Sequence, residues 1–484
     1  MKRVASFLLT GFVLLVGVMV VRTVGWRSRQ MPAQRGAPLA VDADGAATRL
    51  AGAIRIPTIS EPEDALDANF AEIQAYLERT FPRVHSTLQR ETIGPRGVLY
   101  TWRGVASDLP PIVLMGHLDV VPVQPGTEGA WKHAAFSGDL ADGFIWGRGA
   151  LDDKVSVLGI LEGVEALIAR RFAPRRTVLL AFGCDEEIGG AAGAARIAEV
   201  IQQKGIRPWL VIDEGGLIAT GIVPGVQGPV ALVGIAEKGF MSVELSAQGA
   251  GGHSSMPPPH TSVGVVARAV SRLEQHRFPG RLEGVISNFF DYVGPEMPFG
   301  MRFFFANRWL FGPVIERKLE ASPETDAAIR TTTAATMFEG SPKDNVLPAR
   351  ARAVVNFRIL PGDDSRSVLE HVRRVVADPA VTVKSLEEVN EPSSVSSTDS
   401  PGWIALQRTI HQVFPDAVVA PYLVLGATDA RYYSSLSSSV YRFLPVRLTS
   451  SDLARLHGTD ERISAAAYSE AVQFYGQLLR NTAQ

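Results

Sequence analysis

Three apolar runs of the sequence each end in a histidine or in carboxylates. The runs and the polar residues that follow them are 112–115 with His117 and Asp119, 177–182 with Glu186 and Glu187, and 209–212 with Asp213. Apolar runs of this length that are rich in β-branched residues predict buried parallel strands. Open α/β sheets bind their ligands at the carboxyl ends of such strands. The pattern therefore predicts one metal site at this edge of a sheet.

Two further residues complete the candidate ligand set. Asp152 follows a glycine-punctuated turn at the entrance of a predicted helix, and His457 lies in a polar loop near the carboxyl terminus. An isolated aspartate at a helix entrance is more often a cap, so the prediction depends on the whole set. Two histidines and three carboxylates suit two zinc ions that share a bridging carboxylate. The ligand types also admit Co²⁺ or Mn²⁺.

Two acidic residues beside these ligands are candidates for other work. Asp119 is placed to orient the imidazole of His117 from behind. Glu186 stands next to the candidate ligand Glu187, and a free glutamate beside a metal site is suited to act as a general base. The single cysteine, Cys184, ends an apolar run and is interpreted as a small core residue.

Length and composition limit the possible functions. The chain has 484 residues, which favours two domains over one compact core. Its formal net charge is −2, so the sequence carries no electrostatic signature of a nucleic-acid-binding protein. With one cysteine there is neither an intrachain disulfide nor a cysteine-rich zinc site.

The amino terminus contains an uncharged apolar segment, residues 4–21, which is long enough to cross most of a bilayer. A cleaved signal peptide is the alternative, but no small-residue cleavage site follows, so we expect a single-pass anchor. We expect the catalytic domain on the extracytoplasmic side, periplasmic or lumenal. The side stays open, because the basic residues around the segment favour a cytoplasmic body.

The order of predicted elements indicates an α/β protein with a mixed sheet flanked by helices and an inserted α+β, ferredoxin-like domain. The predicted divisions are an anchor (1–22), a linker (23–41), a catalytic domain in two parts (42–234 and 396–484) and the insertion (235–395). Within the insertion, residues 289–311 hold nine aromatic side chains in 23 positions, against 8% aromatic residues in the chain. This segment is either extra core or a subunit contact, or else a pocket or membrane-facing surface for an apolar substrate.

Five ordered motifs are similar to those of the co-catalytic zinc peptidases that include glutamate carboxypeptidase, aminoacylase and succinyl-diaminopimelate desuccinylase. The motifs are 117–119 (His-Leu-Asp), 147–154 (Gly-Arg-Gly-Ala-Leu-Asp-Asp-Lys), 185–190 (Asp-Glu-Glu-Ile-Gly-Gly), 251–255 (Gly-Gly-His-Ser-Ser) and 457–458 (His-Gly). Within that family the chain most resembles carboxypeptidase S and the N-fatty-acyl amino acid hydrolases. The closer matches are 213–216, 343–348, 356–362 and 428–431.

This resemblance, which covers about residues 45–480, implies a role for each matching position. Asp152 would bridge two zinc ions, with His117 and Asp213 completing one site and Glu187 and His457 the other.

The resemblance also assigns the remaining candidates. Glu186 would activate water and then protonate the leaving amine. His253, from the lid of a partner subunit, would stabilise the oxyanion, and Asn345, Arg358 and Gly426 would contact the substrate. It further implies that the inserted domain is a lid through which two subunits can pair.

Two classes of function remain open at this point. The first is a membrane-anchored di-zinc hydrolase that cleaves the amide next to a free carboxylate, with either small peptides or N-acyl (fatty-acyl) amino acids as substrate. The second, more remote, is a non-catalytic membrane-anchored binding protein on the same scaffold.

Overall fold

The computed structural model describes residues 2–32, 34–60 and 68–484, without the side chains of residues 387 and 388. Residue 33 of the predicted linker and residues 61–67 of the predicted first catalytic part lie outside the described residues.

The helices are given in chain order. They are α1 (Lys2–Gly25), α2 (Ala43–Ile54), α3 (Ala68–Thr80), α4 (Pro82–Thr87), α5 (Lys154–Ala169), α6 (Ala194–Gln203), α7 (Ser262–Gln275), α8 (Val285–Val293), α9 (Phe299–Ala306), α10 (Arg308–Leu319), α11 (Pro323–Ile329), α12 (Ser365–Val376), α13 (Pro401–Val413), α14 (Ser450–Leu453) and α15 (Ala465–Thr482).

The strands follow in the same way. They are β1 (Gln89–Ile93), β2 (Gly97–Trp102), β3 (Ile112–His117), β4 (Leu140–Ala141), β5 (Phe144–Trp146), β6 (Val178–Gly183), β7 (Leu210–Asp213), β8 (Leu217–Ala219), β9 (Val230–Glu237), β10 (Gly239–Gln248), β11 (Gly252–His253), β12 (Thr332–Glu339), β13 (Val346–Leu347), β14 (Arg350–Ile359), β15 (Thr382–Asn390), β16 (Val418–Val424), β17 (Val440–Arg442), β18 (Arg447–Leu448) and β19 (Arg462–Ser464).

The main sheet has the order β1-β2-β6-β3-β7-β17-β9-β8-β18, with β16 paired to β9. Strands β6, β3, β7 and β17 run parallel, whereas β2 and β9 join them antiparallel. Helices α2, α5, α13 and α15 pack on one face and α6 on the other, and each face has its own apolar cluster. The prediction of a mixed sheet flanked by helices is confirmed.

A second, antiparallel sheet has the order β12-β14-β10-β15. Its apolar cluster is separate and joins alternate residues of β10 and β14 to one face of α7 and of α12. In chain order its elements are β10, α7, β12, β14, α12 and β15, with α8–α11 between α7 and β12. Strand β12 is exposed along most of its length, and β14 is its partner in the sheet.

Helices α8–α11 lie between α7 and β12 in the chain, and α8 packs against the main sheet. Val285, Tyr292 and Val293 of α8 belong to the apolar cluster of the main sheet. The ring of Tyr292 also contacts that of Trp403, with centroids 5.5 Å apart. Part of the aromatic segment is therefore core of the main sheet rather than of the second one.

In the described part of the chain, α1 is the one helix that is long and apolar enough to cross a membrane. A signal sequence would have the same length and composition. Most of α1 is exposed, but Met19 and Thr23 are buried against the segment that joins α9 to α10.

Candidate metal centre

His117 is the last residue of β3, where a buried parallel strand delivers it to the sheet edge. Its side chain is buried. Nδ1 lies 3.0 Å from the main-chain oxygen of Asp119, and Nε2 lies 3.0 Å from Oδ1 of Asp152. With Nδ1 held by a carbonyl oxygen, Nε2 is the nitrogen that faces the other candidate ligands.

Asp152 lies in the turn between β5 and α5, with its carboxylate between two histidines. Its Oδ2 is 3.1 Å from Nε2 of His457, which in turn is 3.2 Å from Oε1 of Glu187. One ligand atom each of His117, Asp152 and Glu187 lies within 4.8 Å of the others. The structure thus brings together four of the five predicted ligands, and Asp152 touches both histidines.

Asp213, the fifth predicted ligand, ends β7 at the same edge of the sheet. Its Oδ2 accepts a hydrogen bond of 2.7 Å from the main-chain nitrogen of Ala430. It stands outside the group of three whose ligand atoms lie within 4.8 Å of one another. Burial is the main cause of the raised pKa of the neighbouring Glu214, and the negative charge of Asp213 adds to this shift.

Asp119 lies behind His117, with its Oδ1 3.3 Å from Nδ1 of the imidazole. Its carboxylate accepts hydrogen bonds from the hydroxyl of Ser60 (2.8 Å) and from the main-chain nitrogens of Glu186 (3.2 Å) and Glu187 (3.0 Å). Burial alone would raise the pKa of Asp119, but the hydrogen bonds from His117 and Ser60 outweigh it and lower the pKa. Asp119 therefore fixes both the imidazole and the turn that carries the two glutamates.

Glu461 supports the candidate site, and the sequence analysis did not predict it. It is fully buried and accepts hydrogen bonds from Nη1 of Arg148 (2.7 Å) and from the main-chain nitrogens of Gly149, Leu151 (both 2.9 Å) and Asp152 (3.3 Å). It thereby fixes the turn that carries Asp152. The available signal was its position four residues after His457, within the same polar loop.

Arg148 joins this turn to the loop of His457. Its Nη2 donates to the main-chain oxygen of His457 at 3.2 Å. His457 itself has a φ of +57°, in the left-handed region that non-glycine residues seldom adopt. The pair Arg148–Glu461 therefore sets the position of one candidate ligand from each side of the site.

Three of the four predicted substrate residues lie between β10 and β15 in the chain; they are His253, Asn345 and Arg358. His253 is exposed on β11, where Nδ1 contacts the Ser255 hydroxyl at 2.8 Å.

 The main-chain nitrogen of Ser254 donates a hydrogen bond of 3.1 Å to the main-chain oxygen of Asn345. Arg358 lies on β14 of the second sheet, with its guanidinium 5.0 Å from the ring centroid of Phe240.

Gly426 is the predicted substrate residue that belongs to the main sheet. It is exposed in the loop after β16, and a Cβ atom there would meet nothing within 4 Å. The roles of these four residues remain predictions, because their positions relative to the metal cluster depend on how the two sheets are arranged.

The charges of the cluster fit divalent cations. Burial raises the pKa of Glu186 and of Glu214 well above ordinary values, and the negative charge of Asp152 adds to both shifts. Contacts with Asp152 and Glu187 raise the pKa of His457 to about 10. Carboxylates that are crowded in this way, with imidazoles between them, are a donor set suited to a divalent cation.

Removing and restoring the metal gives a first prediction. Zn²⁺ added at about 100 times its Kd is expected to raise the free energy of unfolding of the metal-free chain by about 2.7 kcal/mol, because the ion binds the folded state. Thermal unfolding with and without Zn²⁺ measures the increment. In Asp152→Asn the increment should be largely lost. An equal increment in that variant would contradict the assignment of Asp152 as a ligand.

The chain was compared with known proteins. Residues 113–481 match Peptidase family M20/M25/M40. A relative from Dictyostelium discoideum, "Probable carboxypeptidase S-like 2", is 41% identical over 97% of this chain and 93% of its own length. The "N-fatty-acyl-amino acid synthase/hydrolase PM20D1" of Xenopus tropicalis is 40% identical over 99% of this chain and 96% of its own length.

Among solved structures, the fold is similar to that of the M20 family metallo-carboxypeptidase Sso-CP2 from Sulfolobus solfataricus. The TM-score is 0.66 at 19% identity, over 90% of this chain and 98% of that one.

Proposed function

Because the chain belongs to peptidase family M20/M25/M40, we propose that it is a di-zinc hydrolase that cleaves the amide next to a free carboxylate and releases the C-terminal amino acid of small peptides. Membership makes the chain a hydrolytic enzyme, as predicted, and the alternative of a non-catalytic binding protein is set aside. The observation that carries the proposal is the cluster of His117, Asp152, Glu187 and His457 at one edge of the sheet.

The proposed ligands divide between two ions, as the resemblance implies. Asp152 would be shared, His117 and Asp213 would hold one ion, and Glu187 and His457 would hold the other. Bound ions of this kind supply Lewis acidity, which polarises an amide carbonyl and makes water more acidic.

Glu186 is the proposed proton carrier. Its main-chain nitrogen donates a hydrogen bond to the carboxylate of Asp119. In the part of the chain that the structure describes, no hydrogen bond joins the Glu186 carboxylate to a proposed ligand. Burial raises its pKa. A carboxylate with a raised pKa is suited to accept a proton from water first and to donate it afterwards to the leaving amine nitrogen.

The second sheet is the proposed lid. Arg358 would bind the substrate carboxylate, for which a planar guanidinium is suited, together with Asn345 and Gly426, and His253 of a partner subunit would stabilise the oxyanion. The exposed strand β12 supports pairing of two subunits through this part of the chain, because an open strand edge can pair with another chain.

Arg358 provides a test of this proposal. Arg358→Lys is expected to raise KM roughly 10- to 100-fold for substrates with a free carboxylate, since lysine cannot make the second of two charged hydrogen bonds. The control is Arg350→Lys. Arg350 is an exposed arginine of the same strand as Arg358, β14, and it pairs with Glu244 of β10, so its replacement should leave KM unchanged. Steady-state kinetics on one dipeptide measures both. Equal KM values for the two variants would contradict the role of Arg358.

A second substrate class is favoured by a specific observation. The relative from Xenopus tropicalis carries the name of an N-fatty-acyl-amino acid synthase/hydrolase, and helices α9 and α10 present exposed aromatic side chains. Long-chain N-acyl amino acids are therefore the alternative substrates. They contain the same amide next to a free carboxylate, so the proposed site would serve both classes.

The deciding experiment measures free amino acid released by the zinc-loaded full chain from Gly-Leu-type dipeptides and from long-chain N-acyl amino acids. A higher kcat/KM for dipeptides supports the peptidase, and the reverse order supports the acyl amino acid hydrolase. Release from neither class would contradict the proposed function.

We further propose that α1 anchors the enzyme as a single-pass helix, with the catalytic part on the extracytoplasmic side. Its length and exposed apolar surface support the anchor. Protease protection of the chain in sealed vesicles would establish the side.

A further inference from the structure

Helices α9 and α10 carry an apolar surface that the proposed catalytic reaction does not use. Five of their large apolar side chains are between 41 and 57% exposed; they are Phe299, Phe304, Trp309, Leu310 and Val314. Ring contacts join Phe304 to Phe311 and Phe303 to both, with centroids 4.6 to 6.2 Å apart, so the surface is continuous. A patch of this kind marks a binding surface rather than scattered exposure.

This surface stands beside the end of α1. Asn307, which joins α9 to α10, is fully buried and donates from Nδ2 to the main-chain oxygen of Met19 (3.2 Å) and to the hydroxyl of Thr23 (3.3 Å). Just beyond α1, the main-chain oxygen of Trp26 accepts from Arg302, and the guanidinium of Arg308 lies 5.5 Å from the Trp26 ring. Hydrogen bonds and a cation–ring contact thus attach the helices α9 and α10 to the end of α1.

The attachment also determines depth. The apolar segment of α1 ends at Val21, so a contact at Met19 lies about 3 Å inside that end, at a rise of ~1.5 Å per residue. If α1 spans a bilayer, the α9–α10 turn lies at the boundary between hydrocarbon and headgroups. Trp309 then has the depth at which tryptophan is enriched in membrane proteins.

The charged residues around the surface fit the same depth. Arg22, Arg27 and Arg29 are exposed directly after the apolar segment of α1, and Arg317 and Lys318 are exposed at the far end of α10. Such residues bind anionic headgroups while apolar neighbours enter the acyl region.

Between α1 and α10 lies a cavity of about 530 Å³, and Arg22, Trp26 and Trp309 are among the residues that line it.

We propose that the α9–α10 surface inserts into the interfacial layer of the same bilayer that α1 spans, so that the enzyme binds the membrane through two elements. The inference rests on the anchoring role of α1 in the proposed function. Its consequence is a fixed orientation: α8, which continues into this surface, packs on β16 of the main sheet, so the catalytic part is held at a defined angle to the bilayer.

Spin labels on introduced cysteines test the proposal in the zinc-loaded full chain, in nanodiscs of phosphatidylcholine and phosphatidylglycerol. The native Cys184 is fully buried, and the unmodified chain serves as the labelling control. The variants are Leu310→Cys on the surface, Leu14→Cys on α1 and Arg366→Cys at an exposed position of the second sheet's helix α12. Collision with oxygen reports lipid, and collision with a water-soluble nickel complex reports water.

The expected result is that oxygen reaches labels 14 and 310 more often than nickel does, with the opposite order at 366. A label at 310 that behaves like the one at 366, while 14 stays in lipid, would overturn the inference and leave the anchor intact. Access of nickel to both 14 and 310 would overturn the anchor and the inference together. A label at 310 that neither reagent reaches would mean that protein, such as a second copy, covers the surface, and would also overturn it.

Phe304→Cys repeats the measurement from the neighbouring helix, in case Leu310→Cys disturbs the fold. Hydrolysis of a soluble substrate by each labelled variant verifies that the main sheet is folded. We expect label 304 to agree with label 310.

Discussion

Replacing Glu186 with glutamine is expected to lower kcat by roughly 10² to 10⁴, the usual contribution of a positioned general base. Glutamine has nearly the same size and keeps the main-chain hydrogen bond to Asp119, but it cannot accept a proton from water or donate one to the leaving amine. Because Glu186 is not one of the proposed ligands, the zinc content should remain that of the unmodified chain. Steady-state kinetics and metal analysis on the same preparation measure the two quantities.

The matched control for this variant is Glu199→Gln. Glu199 lies on α6 as an exposed residue paired with Arg196, so its replacement should change neither kcat nor zinc content. If Glu186→Gln retained full activity, the proposed proton transfer would be wrong. A loss of activity together with a loss of zinc would instead make Glu186 a ligand.

The second large effect is expected at Glu461. Every group that its carboxylate contacts is a donor: the guanidinium of Arg148 and three main-chain nitrogens. In Glu461→Gln the side-chain amide would point a donor at donors and leave the buried charge of Arg148 uncompensated. Removing one partner of a buried ion pair costs about 3–5 kcal/mol. We expect that loss in the free energy of unfolding, measured with urea on the detergent-solubilised chain.

Glu461→Gln should also weaken zinc binding, since Glu461 fixes the turn of Asp152 and, through Arg148, the loop of His457. Loss of such support typically reduces metal affinity 10- to 100-fold. Glu470→Gln is the control, because Glu470 is a partly exposed carboxylate paired with Arg447 and its loss should cost at most about 0.5 kcal/mol. Equal stability of the two variants would show that the buried pair contributes nothing particular to this fold.

Residue types and spacing predicted four of the residues that the structure brings together; they are His117, Asp152, Glu187 and His457. His117 and Glu187 follow buried strands, whose β-branched runs are easily recognised, and strands that run parallel bring their carboxyl ends to one edge. Glu461 was missed because its work is done by accepting hydrogen bonds from main-chain nitrogens of a distant turn. Such contacts leave no periodic signal in the sequence.

Elements that depend on long-range pairing were harder to predict. Strand β17 has only three residues, too few for an alternating or apolar pattern, yet it stands between β7 and β9 in the main sheet. Strand β12 is exposed on an edge and so lacks the alternation of buried and exposed residues that the sequence shows in β10. The positions of His253 and Arg358 depend on the arrangement of two sheets, which local patterns do not encode.

The place of β17 has a consequence for how the protein is made. Strands β7 and β9 are synthesised long before residues 440–442, which must insert between them. During translation the nascent chain therefore exposes the unpaired edges of two mostly apolar strands that are buried in the folded protein, and such edges are sites of aggregation. His457 and Glu461 emerge later still. The proposed metal site therefore forms only after residue 457 has been synthesised, so a shorter nascent chain is expected to be inactive.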